Sequence, residues 1–244
     1  MNFVIPMAGA GSRFKKAGFD KPKMLLEAHG KTLLEWSVDS LPLEICTSLI
    51  FIGLKEHKEK YNLEYFIKEK YNRYNLIFLW IDSITRGQAE TVYKVKDLID
   101  YSTDLVVFNI DTFFISETLK KNLLRNNIDG VLGAFNSKED RFSYAKLDQR
   151  GFVIKTAEKV VISDYALTGL YHFKYPKDFF DICKKHLENN ILYKNEFYIA
   201  PMYNELINQG KKFIIDLAKD HWILGTPNEY NFFLKNFRKK FNGI

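Results

Sequence analysis

Cysteine is scarce in this chain of 244 residues, and long apolar segments and linker-like stretches are missing. The two cysteines, Cys46 and Cys183, fit neither a CxxC nor a Cys/His spacing, which argues against a disulfide framework or a zinc site. The apolar runs are only as long as strands, and the amino terminus lacks the pattern of a signal peptide, so we expect a cytoplasmic protein without a membrane span. Because no stretch rich in Pro, Gly and Ser divides the chain, we expect one domain.

Negative charge is in modest deficit. The sequence has 36 Lys and Arg against 30 Asp and Glu, a formal net charge of +6 with a pI near 9.0. A basic surface can bind nucleic acid, but the lysines are scattered over amphipathic segments and over the tail 235–240, as on solvated helix faces. A small polyanion such as a nucleoside triphosphate explains a basic cleft equally well. We therefore expect small phosphorylated ligands and no nucleic acid.

The most informative stretch is a loop rich in glycine near the start of the chain. The apolar run Asn2 to Met7 predicts a buried strand, and it leads into Ala8-Gly9-Ala10-Gly11-Ser12-Arg13. Glycine lets backbone N–H groups approach an anion closely, and successive N–H groups of a turn favour negative charge. Arg13 adds a fork of donors suited to phosphate oxygens, and Lys23 adds a compact charge that can reach a second phosphate. The loop lacks the Gly-Lys-Ser/Thr of a Walker P-loop and the third glycine of a dinucleotide fingerprint, so it predicts neither of those sites.

The first half of the chain alternates short β-rich apolar runs with helical patterns. This alternation predicts βαβ units on a mainly parallel sheet, whose ligands bind at the carboxyl ends of the strands. The glycine loop, the turn Arg86-Gly87-Gln88 and Asp111 each follow a strand, so we expect them to converge on one crevice. The predicted strands are Asn2–Met7, Ser48–Leu54, Leu76–Ile81, Leu105–Ile110 and Val131–Phe135, and the predicted helices are Thr32–Leu41, Tyr61–Tyr71, Ala89–Ile99 and Ser116–Asn126.

Beyond about residue 136 the pattern changes to shorter β segments before helices return. We interpret the chain as a single domain, residues 1–244, with a nucleotide-binding half, 1–135, and an acceptor-binding half, 136–244. The predicted strands of the second half are Ser143–Leu147, Phe152–Thr156, Val160–Ser163, Ala166–Phe173 and Lys212–Leu217, and the predicted helices are Pro176–Asn189, Tyr198–Asn208 and a last one from Pro227.

Three segments in register resemble the signature of the sugar-phosphate nucleotidyltransferases, the nucleotide-sugar pyrophosphorylase family. That signature runs (A/G)-G-x-G-(S/T)-R-(L/F), then P-K-(P/A/M)-(L/M)-(L/V), then G-K-P-(L/M)-(I/L). The matching segments here are Ala8 to Phe14, Pro22 to Leu26 and Gly30 to Leu34. Three matches within some 28 residues are far more specific than a lone GxG loop.

Later segments resemble further landmarks of the same family, in the same order. They are Gly87 to Val92, Phe108 to Phe113, Glu158-Lys159, Ala166 to Phe173, Asn195 to Tyr198 and Leu224 to Pro227. The resemblance therefore spans nearly the whole chain and is nearest to the compact capsule and choline-phosphate members. It implies a Rossmann-like, GT-A type α/β domain with a mainly parallel central sheet, flanking helices and a small β-rich part that binds the acceptor.

The resemblance also implies a reaction and a set of roles. The family transfers a nucleoside monophosphate from a triphosphate to a phosphorylated small molecule and releases pyrophosphate, with Mg²⁺ as cofactor. Arg13 and Lys23 are the expected catalytic residues, and Asp111 is the expected metal ligand. The expected nucleotide-binding residues are Ala8, Gly9, Ala10, Gly11, Ser12, Arg13, Lys23, Gln88 and Asn109, and the expected acceptor-binding residues are Lys159, Gly169 and Glu196.

The sequence departs from the family at the metal site. The family's late D-(I/L/V)-G-T-P segment supplies a second aspartate for magnesium, and here Ile223 stands at that position. Asp220 or His221 lies close by in sequence and is the expected substitute. Ile110 likewise replaces the glycine that usually precedes the first aspartate.

The sequence leaves the nucleotide and the acceptor open. The compact chain favours CTP over UTP, GTP or dTTP, and the acceptor is a sugar 1-phosphate or a non-sugar phosphate, for surface polysaccharide precursors; we expect a monomer or a homodimer. Two rival readings remain. One is a GT-A glycosyltransferase, although Asn109-Ile110-Asp111 offers one carboxylate where a D-x-D motif is expected; the other is a catalytically impaired nucleotide-binding protein.

Overall fold

The computed structural model describes residues 1–241. Its strands are β1 Asn2–Pro6, β2 Glu27–Ala28, β3 Lys31–Thr32, β4 Ser48–Leu54, β5 Leu76–Ile81, β6 Leu105–Phe108, β7 Thr112–Ile115, β8 Gly130–Asn136, β9 Ser143–Leu147, β10 Val153–Glu158, β11 Tyr165–Phe173, β12 Phe213–Leu217 and β13 Asp220–Ile223. Its α-helices are α1 Ser12–Lys16, α2 Leu33–Val38, α3 Lys55–Tyr61, α4 Leu63–Tyr71, α5 Gln88–Tyr93, α6 Leu119–Leu123, α7 Pro176–Glu188, α8 Tyr203–Asn208 and α9 Pro227–Phe241. Short 3-10 turns span Lys23–Leu25, Leu43–Ile45 and Ala200–Met202.

One large sheet joins both halves of the chain, in the order β10-β9-β11-β6-β1-β4-β5. Strands β6, β1, β4 and β5 run parallel, while β11 pairs antiparallel with β6, β8 and β9, and β12 returns parallel to β8. Helices and sheet form a single α/β domain, so the predicted fold class is confirmed. Among the described helices, none is both long and apolar enough to cross a membrane.

The central strands are buried on both faces because their apolar residues alternate between two cores. In β1, Phe3 and Ile5 pack into one cluster and Val4 into the other; in β4, Phe51 and Ile52 divide in the same way. Successive side chains of a strand point to opposite faces, so a strand covered by helices on both faces is apolar throughout. The continuous apolar runs of the sequence thus correspond to the middle of the sheet.

Several predicted elements differ in extent. The strand predicted for Val160–Ser163 is wrong: Lys159 adopts a left-handed conformation with φ 52°, and Val160 and Val161 lie half-exposed in an irregular segment. The helix predicted for Tyr61–Tyr71 is broken at Asn62, also left-handed, into α3 and α4. The helix predicted for Ala89–Ile99 ends as α5 at Tyr93 and continues in turns with i to i+3 hydrogen bonds, and those predicted for Ser116–Asn126 and Tyr198–Asn208 shorten to α6 and α8.

The topology places the ends of four parallel strands at one edge of the sheet. The glycine loop follows β1, α3 follows β4, the segment leading to Gly87 follows β5, and Asp111 follows β6. Just beyond Asp111, β7 pairs antiparallel with β13, which the sequence did not predict as a strand. This small two-stranded sheet brings the last part of the chain to the same edge.

Candidate active site

The glycine loop leaves β1 as an open turn. The N–H group of Met7 donates to Ile52 at 2.8 Å, which ties the start of the loop to β4. Gly11 has a left-handed φ of 59° and starts α1, a conformation that glycine adopts without strain. Within residues 1–241 the N–H groups of Gly9, Ala10 and Gly11 donate to no hydrogen-bond partner. These three donors are therefore available to an anion above the loop.

Lys23 and Asp111, 88 residues apart in sequence, form an ion pair. Lys23 begins the 3-10 turn Lys23–Leu25, and its side chain is largely buried at 13% exposure, whereas that of Asp111 is half-exposed to the cleft. A nearly buried ammonium group beside an open cleft interacts more strongly with an incoming anion than a solvated one, because water screens it less. The structure thus joins two of the predicted site residues at the strand ends.

The backbone of Asp111 is held by the last part of the chain. Its carbonyl oxygen accepts a hydrogen bond from the N–H group of Leu224 at 2.6 Å, and the β7/β13 register places Ile223 opposite Thr112. In the same register Asp220 stands opposite Ile115, three residues farther along β13, which is about 10 Å at the rise of a strand. The structure therefore does not bring Asp220 beside Asp111.

A second carboxylate lies near Asp111, that of Glu229 in α9. A Cβ atom added to Gly225 would stand 3.5 Å from Asp111 Oδ2 and 3.5 Å from Glu229 Oε2, so the two oxygens are no farther apart than twice that distance. Glu229 Oε1 accepts a hydrogen bond from Arg141, while Oε2 is buried and has no hydrogen-bond partner within the described part of the chain. Sequence reasoning missed Glu229.

These carboxylates fit the magnesium that the family resemblance implies. Within residues 1–241 no group of three or more His, Cys, Asp or Glu is gathered closely enough to bind a metal by itself. Magnesium, however, is usually held by one or two carboxylates together with substrate phosphates and water. The orphaned oxygen of Glu229 and the half-exposed carboxylate of Asp111 are such a donor set.

Gln88 and Asn109 form an amide pair across the cleft. Gln88 is the first residue of α5, and its Nε2 donates to Asn109 Oδ1. The N–H group of Asn109 donates to the carbonyl oxygen of Gly169 at 3.4 Å, and the Asn109 side chain lies directly over Gly169. Gly169 has a φ of 89° and lies at an irregularity in the pairing of β11 with β8. These three predicted residues are therefore in one contact chain.

On the acceptor side, Lys159 and Glu196 meet through a tyrosine that sequence reasoning did not single out. Lys159 Nζ donates to the hydroxyl of Tyr198 at 2.5 Å, and that hydroxyl donates to Glu196 Oε1 at 3.0 Å. Burial raises the pKa of Tyr198, and the positive charge of Arg13 acts against this rise. Tyr198 therefore links the two predicted acceptor-binding side chains.

The nucleotide and acceptor segments are also joined by their backbones. The N–H group of Phe197 donates to the Arg86 carbonyl, and the N–H group of Ala89 donates to the Phe197 carbonyl, both at 3.0 Å. Gly87, between them, has a φ of 151°, and a Cβ there would lie 2.5 Å from the Phe197 nitrogen. Only glycine fits this crossing, which explains the glycine that begins the Gly87 to Val92 segment.

The family model described as nucleotidyl transferase matches residues 3–240. The crystal structure of a nucleoside-diphosphate-sugar pyrophosphorylase from Vibrio cholerae RC9 is similar at 36% sequence identity and a TM-score of 0.83, covering 96% of this chain and 100% of that chain.

Two curated proteins are similar over part of their length. The CTP:phosphoglutamine cytidylyltransferase of Campylobacter jejuni is 25% identical over 132 residues, 50% of this chain and 47% of that protein. The 2-C-methyl-D-erythritol 4-phosphate cytidylyltransferase of Thermosipho melanesiensis is 31% identical over 130 residues, 52% of each. The match therefore spans about half the length of each of these relatives.

Proposed function

We propose, since this chain belongs to the nucleotidyl transferase family, that it transfers the nucleoside monophosphate of a nucleoside triphosphate to the phosphate of a small acceptor. The observation that carries the proposal is the Lys23–Asp111 pair beside the open glycine loop at the carboxyl ends of the parallel strands. Three N–H groups without a partner among residues 1–241, a largely buried ammonium and a half-exposed carboxylate suit a triphosphate with its cation.

The proposed reaction is an in-line displacement. A phosphate oxygen of the acceptor forms a bond to the α-phosphorus, the bond from that phosphorus to the bridging oxygen of the β-phosphate breaks, and pyrophosphate leaves with the electron pair. Because the acceptor oxygen is already anionic, the chain needs no general base. Its residues act by bringing anions together and by stabilising the charge that develops.

Each side chain then has a defined part. We assign Lys23 to the α-phosphate and Arg13 to the β- and γ-phosphates, where its guanidinium can contact two oxygens. Asp111 would hold Mg²⁺, which when bound neutralises charge on the phosphates. The backbone from Ala8 to Ser12 would cradle the triphosphate, and Gln88 with Asn109 would read the base.

For the acceptor, we propose that Lys159 meets the phosphate, that Gly169 allows close backbone approach, and that Glu196 holds hydroxyl or amino groups. This assigns residues 1–135 to the nucleotide and 136–244 to the acceptor. The Tyr198 bridge between Lys159 and Glu196 supports a single acceptor subsite, since it keeps the two side chains in one cluster.

We propose CTP as the preferred triphosphate. The names of the relatives from Campylobacter jejuni and Thermosipho melanesiensis include cytidylyl transfer, and the first of these names states CTP. The resemblance to capsule-type members supports a product that enters the synthesis of surface polysaccharide. The acceptor class stays a choice between a sugar 1-phosphate and a non-sugar phosphate.

The test is a matrix of four triphosphates against phosphorylated acceptors, with pyrophosphate release as the readout and Mg²⁺ present. We expect release with CTP and at least one acceptor, and none when EDTA exceeds the metal. Lys23→Ala and Asp111→Ala should each lower turnover more than about tenfold, because each removes a charge that the transition state needs. Lys21→Ala, a solvated lysine two residues away, is the matched control.

Two results would contradict the proposal. No pyrophosphate release across a broad panel would refute nucleotidyl transfer, and turnover of a nucleotide sugar would favour a glycosyltransferase instead. Near-normal turnover of Lys23→Ala or Asp111→Ala, in variants shown by circular dichroism to be folded, would refute the role of that residue.

A further inference from the structure

We infer that Glu229 supplies the second carboxylate of the divalent-cation site, in place of the aspartate that Ile223 has replaced. The inference rests on the proposed function for the identity of the substrate, but its structural basis is independent of the nucleotide. It concerns a residue that neither the sequence pattern nor the comparisons single out.

Glu229 does not complete a capping box at the start of its own helix. Two segments of this chain share the pattern Thr-x-x-Glu at a helix start, Thr32 to Glu35 in α2 and Thr226 to Glu229 in α9. In α2 the capping box is complete, since the Glu35 carboxylate accepts from the Thr32 N–H group at 2.9 Å. At α9 the Glu229 N–H group donates to Thr226 Oγ1 at 3.3 Å, but the carboxylate does not return the bond within the described residues.

The carboxylate of Glu229 is instead directed away from its own helix start. Oε1 pairs with Arg141, which also pairs with Glu139 at 2.6 Å. The side chain is only 15% exposed, and Oε2 is buried without a partner among residues 1–241. A buried carboxylate oxygen left without a donor is costly, so its retention indicates a ligand that the protein alone does not provide.

The carboxylates of Asp111 and Glu229 have the same arrangement of partners. Asp111 forms an ion pair with Lys23 through Oδ1, and its Oδ2 faces Gly225. Glu229 forms an ion pair with Arg141 through Oε1, and its Oε2 also faces Gly225. Each carboxylate is therefore oriented by a cation through one oxygen and presents the other to the same space. Such outer partners orient metal ligands in known metal sites.

Gly225 lies beside both carboxylates. Gly225 has no side chain, and a Cβ there would already contact both oxygens at 3.5 Å. Ile223 has no side-chain atom that binds a metal, and it packs against the small apolar cluster that contains Phe135 and Tyr144. Because Gly225 has no side chain, the position beside both carboxylate oxygens is left open, and the inferred cation lies there.

The test measures binding of Mn²⁺ alone, by the electron paramagnetic resonance signal of the free ion. We expect one saturable site in the wild-type chain, loss of that site in Asp111→Asn, and a weakening of about 10- to 100-fold in Glu229→Gln. Glu139→Gln, which removes the other carboxylate on Arg141, is the matched control and should bind as the wild type does. Gly225→Ala, which keeps Glu229 and its pair with Arg141 intact, should also weaken binding, so the inference remains testable if Glu229→Gln fails to fold.

Affinity of Glu229→Gln within about twofold of the wild type would overturn the inference, as would the lack of any saturable site in the wild type at millimolar Mn²⁺. The two proposals fail separately. If Mn²⁺ binding depends on Glu229 but pyrophosphate is never released, the function is wrong and the site stands. If transfer occurs and Glu229→Gln keeps its Mn²⁺ affinity, the function stands and the site is wrong.

Discussion

Gly169→Ala is the substitution that tests most directly whether the cleft is as tightly packed as the structure shows. The new Cβ would lie 2.5 Å from Asn109 Nδ2, 2.9 Å from Cγ and 3.1 Å from Cβ of the same residue. Rotation of the Asn109 side chain would break the hydrogen bond that its Oδ1 accepts from Gln88. The hydrogen bond from the Asn109 N–H group to the Gly169 carbonyl holds the two backbones together. The substitution must therefore strain the backbone, displace Asn109, or break the pair with Gln88.

The magnitude follows from two separable contributions. A residue other than glycine at the left-handed φ of 89° costs about 1–2 kcal/mol. Overpacking against Asn109 adds about 1–3 kcal/mol, and rotating Asn109 instead forfeits a hydrogen bond of about 1 kcal/mol. We thus expect a decrease of about 2–5 kcal/mol in the free energy of unfolding. For a chain of this size, each kcal/mol lowers Tm by several degrees.

Gly151→Ala isolates the backbone contribution, since Gly151 has nearly the same φ, 84°, and an added Cβ there would meet no described atom within 4 Å. Urea unfolding followed by tryptophan fluorescence should show Gly169→Ala to be less stable than Gly151→Ala by at least about 1 kcal/mol. Combining Gly169→Ala with Asn109→Ala should recover part of that difference in stability, because the two residues are in contact and their effects are coupled. Equal stability of the two glycine variants would refute the claim that Gln88 and Gly169 hold Asn109 in place.

Three further predictions concern stability and reactivity. Hydrogen bonds from Lys68 and Lys58 lower the pKa of Glu64 to about 2, so its stabilising effect is present above about pH 4.5 and lost as the pH falls toward 2; the difference in unfolding free energy between wild type and Glu64→Gln should shrink over that range, and a constant difference would contradict this. Burial lowers the pKa of His172, so the unfolded chain binds a proton that the native chain resists, and stability should fall as the pH drops below about 6.5; His172→Gln should flatten that slope, and an unchanged slope would show that other groups cause it. Burial raises the pKa of Cys183 to about 12, so mass spectrometry should find iodoacetamide at Cys183 only after unfolding, and rapid native labelling would refute its burial.

The strands of the nucleotide half were predictable because burial on both faces makes them continuous apolar runs. The bounds of β4 and β5 agree with the prediction at both ends. The two-stranded sheet of β7 and β13 was not predictable in the same way, since Thr112 to Ile115 follows Asp111 without a turn signal and β13 is short. Its pairing depends on contacts between segments more than 100 residues apart, which periodicity does not register.

The residues of the candidate site were likewise predictable only in part. The rule that ligands gather at strand ends predicted that the glycine loop, the turn Arg86-Gly87-Gln88 and Asp111 would converge. It did not predict the ion pair that joins Asp111 to Lys23, because Lys23 follows no strand. Tyr198 was passed over because aromatic residues are numerous here and most of them pack in the core. Glu229 was not predicted because Thr-x-x-Glu before a helix is typical of an ordinary cap, whereas in the fold its carboxylate pairs with Arg141 instead.

The two departures from the family pattern have one physical feature in common. Ile110 stands where the family has a glycine, and it lies buried with Phe108 and Phe114. Ile223 stands where the family has an aspartate, and it packs toward Phe135. Both isoleucines thus add apolar contacts that anchor the strands around Asp111. The backbone of Asp111 is fixed between these anchors by the Leu224 hydrogen bond. The lack of a carboxylate at position 223 therefore does not release Asp111, and our inference assigns the second carboxylate to Glu229 in the first turn of α9.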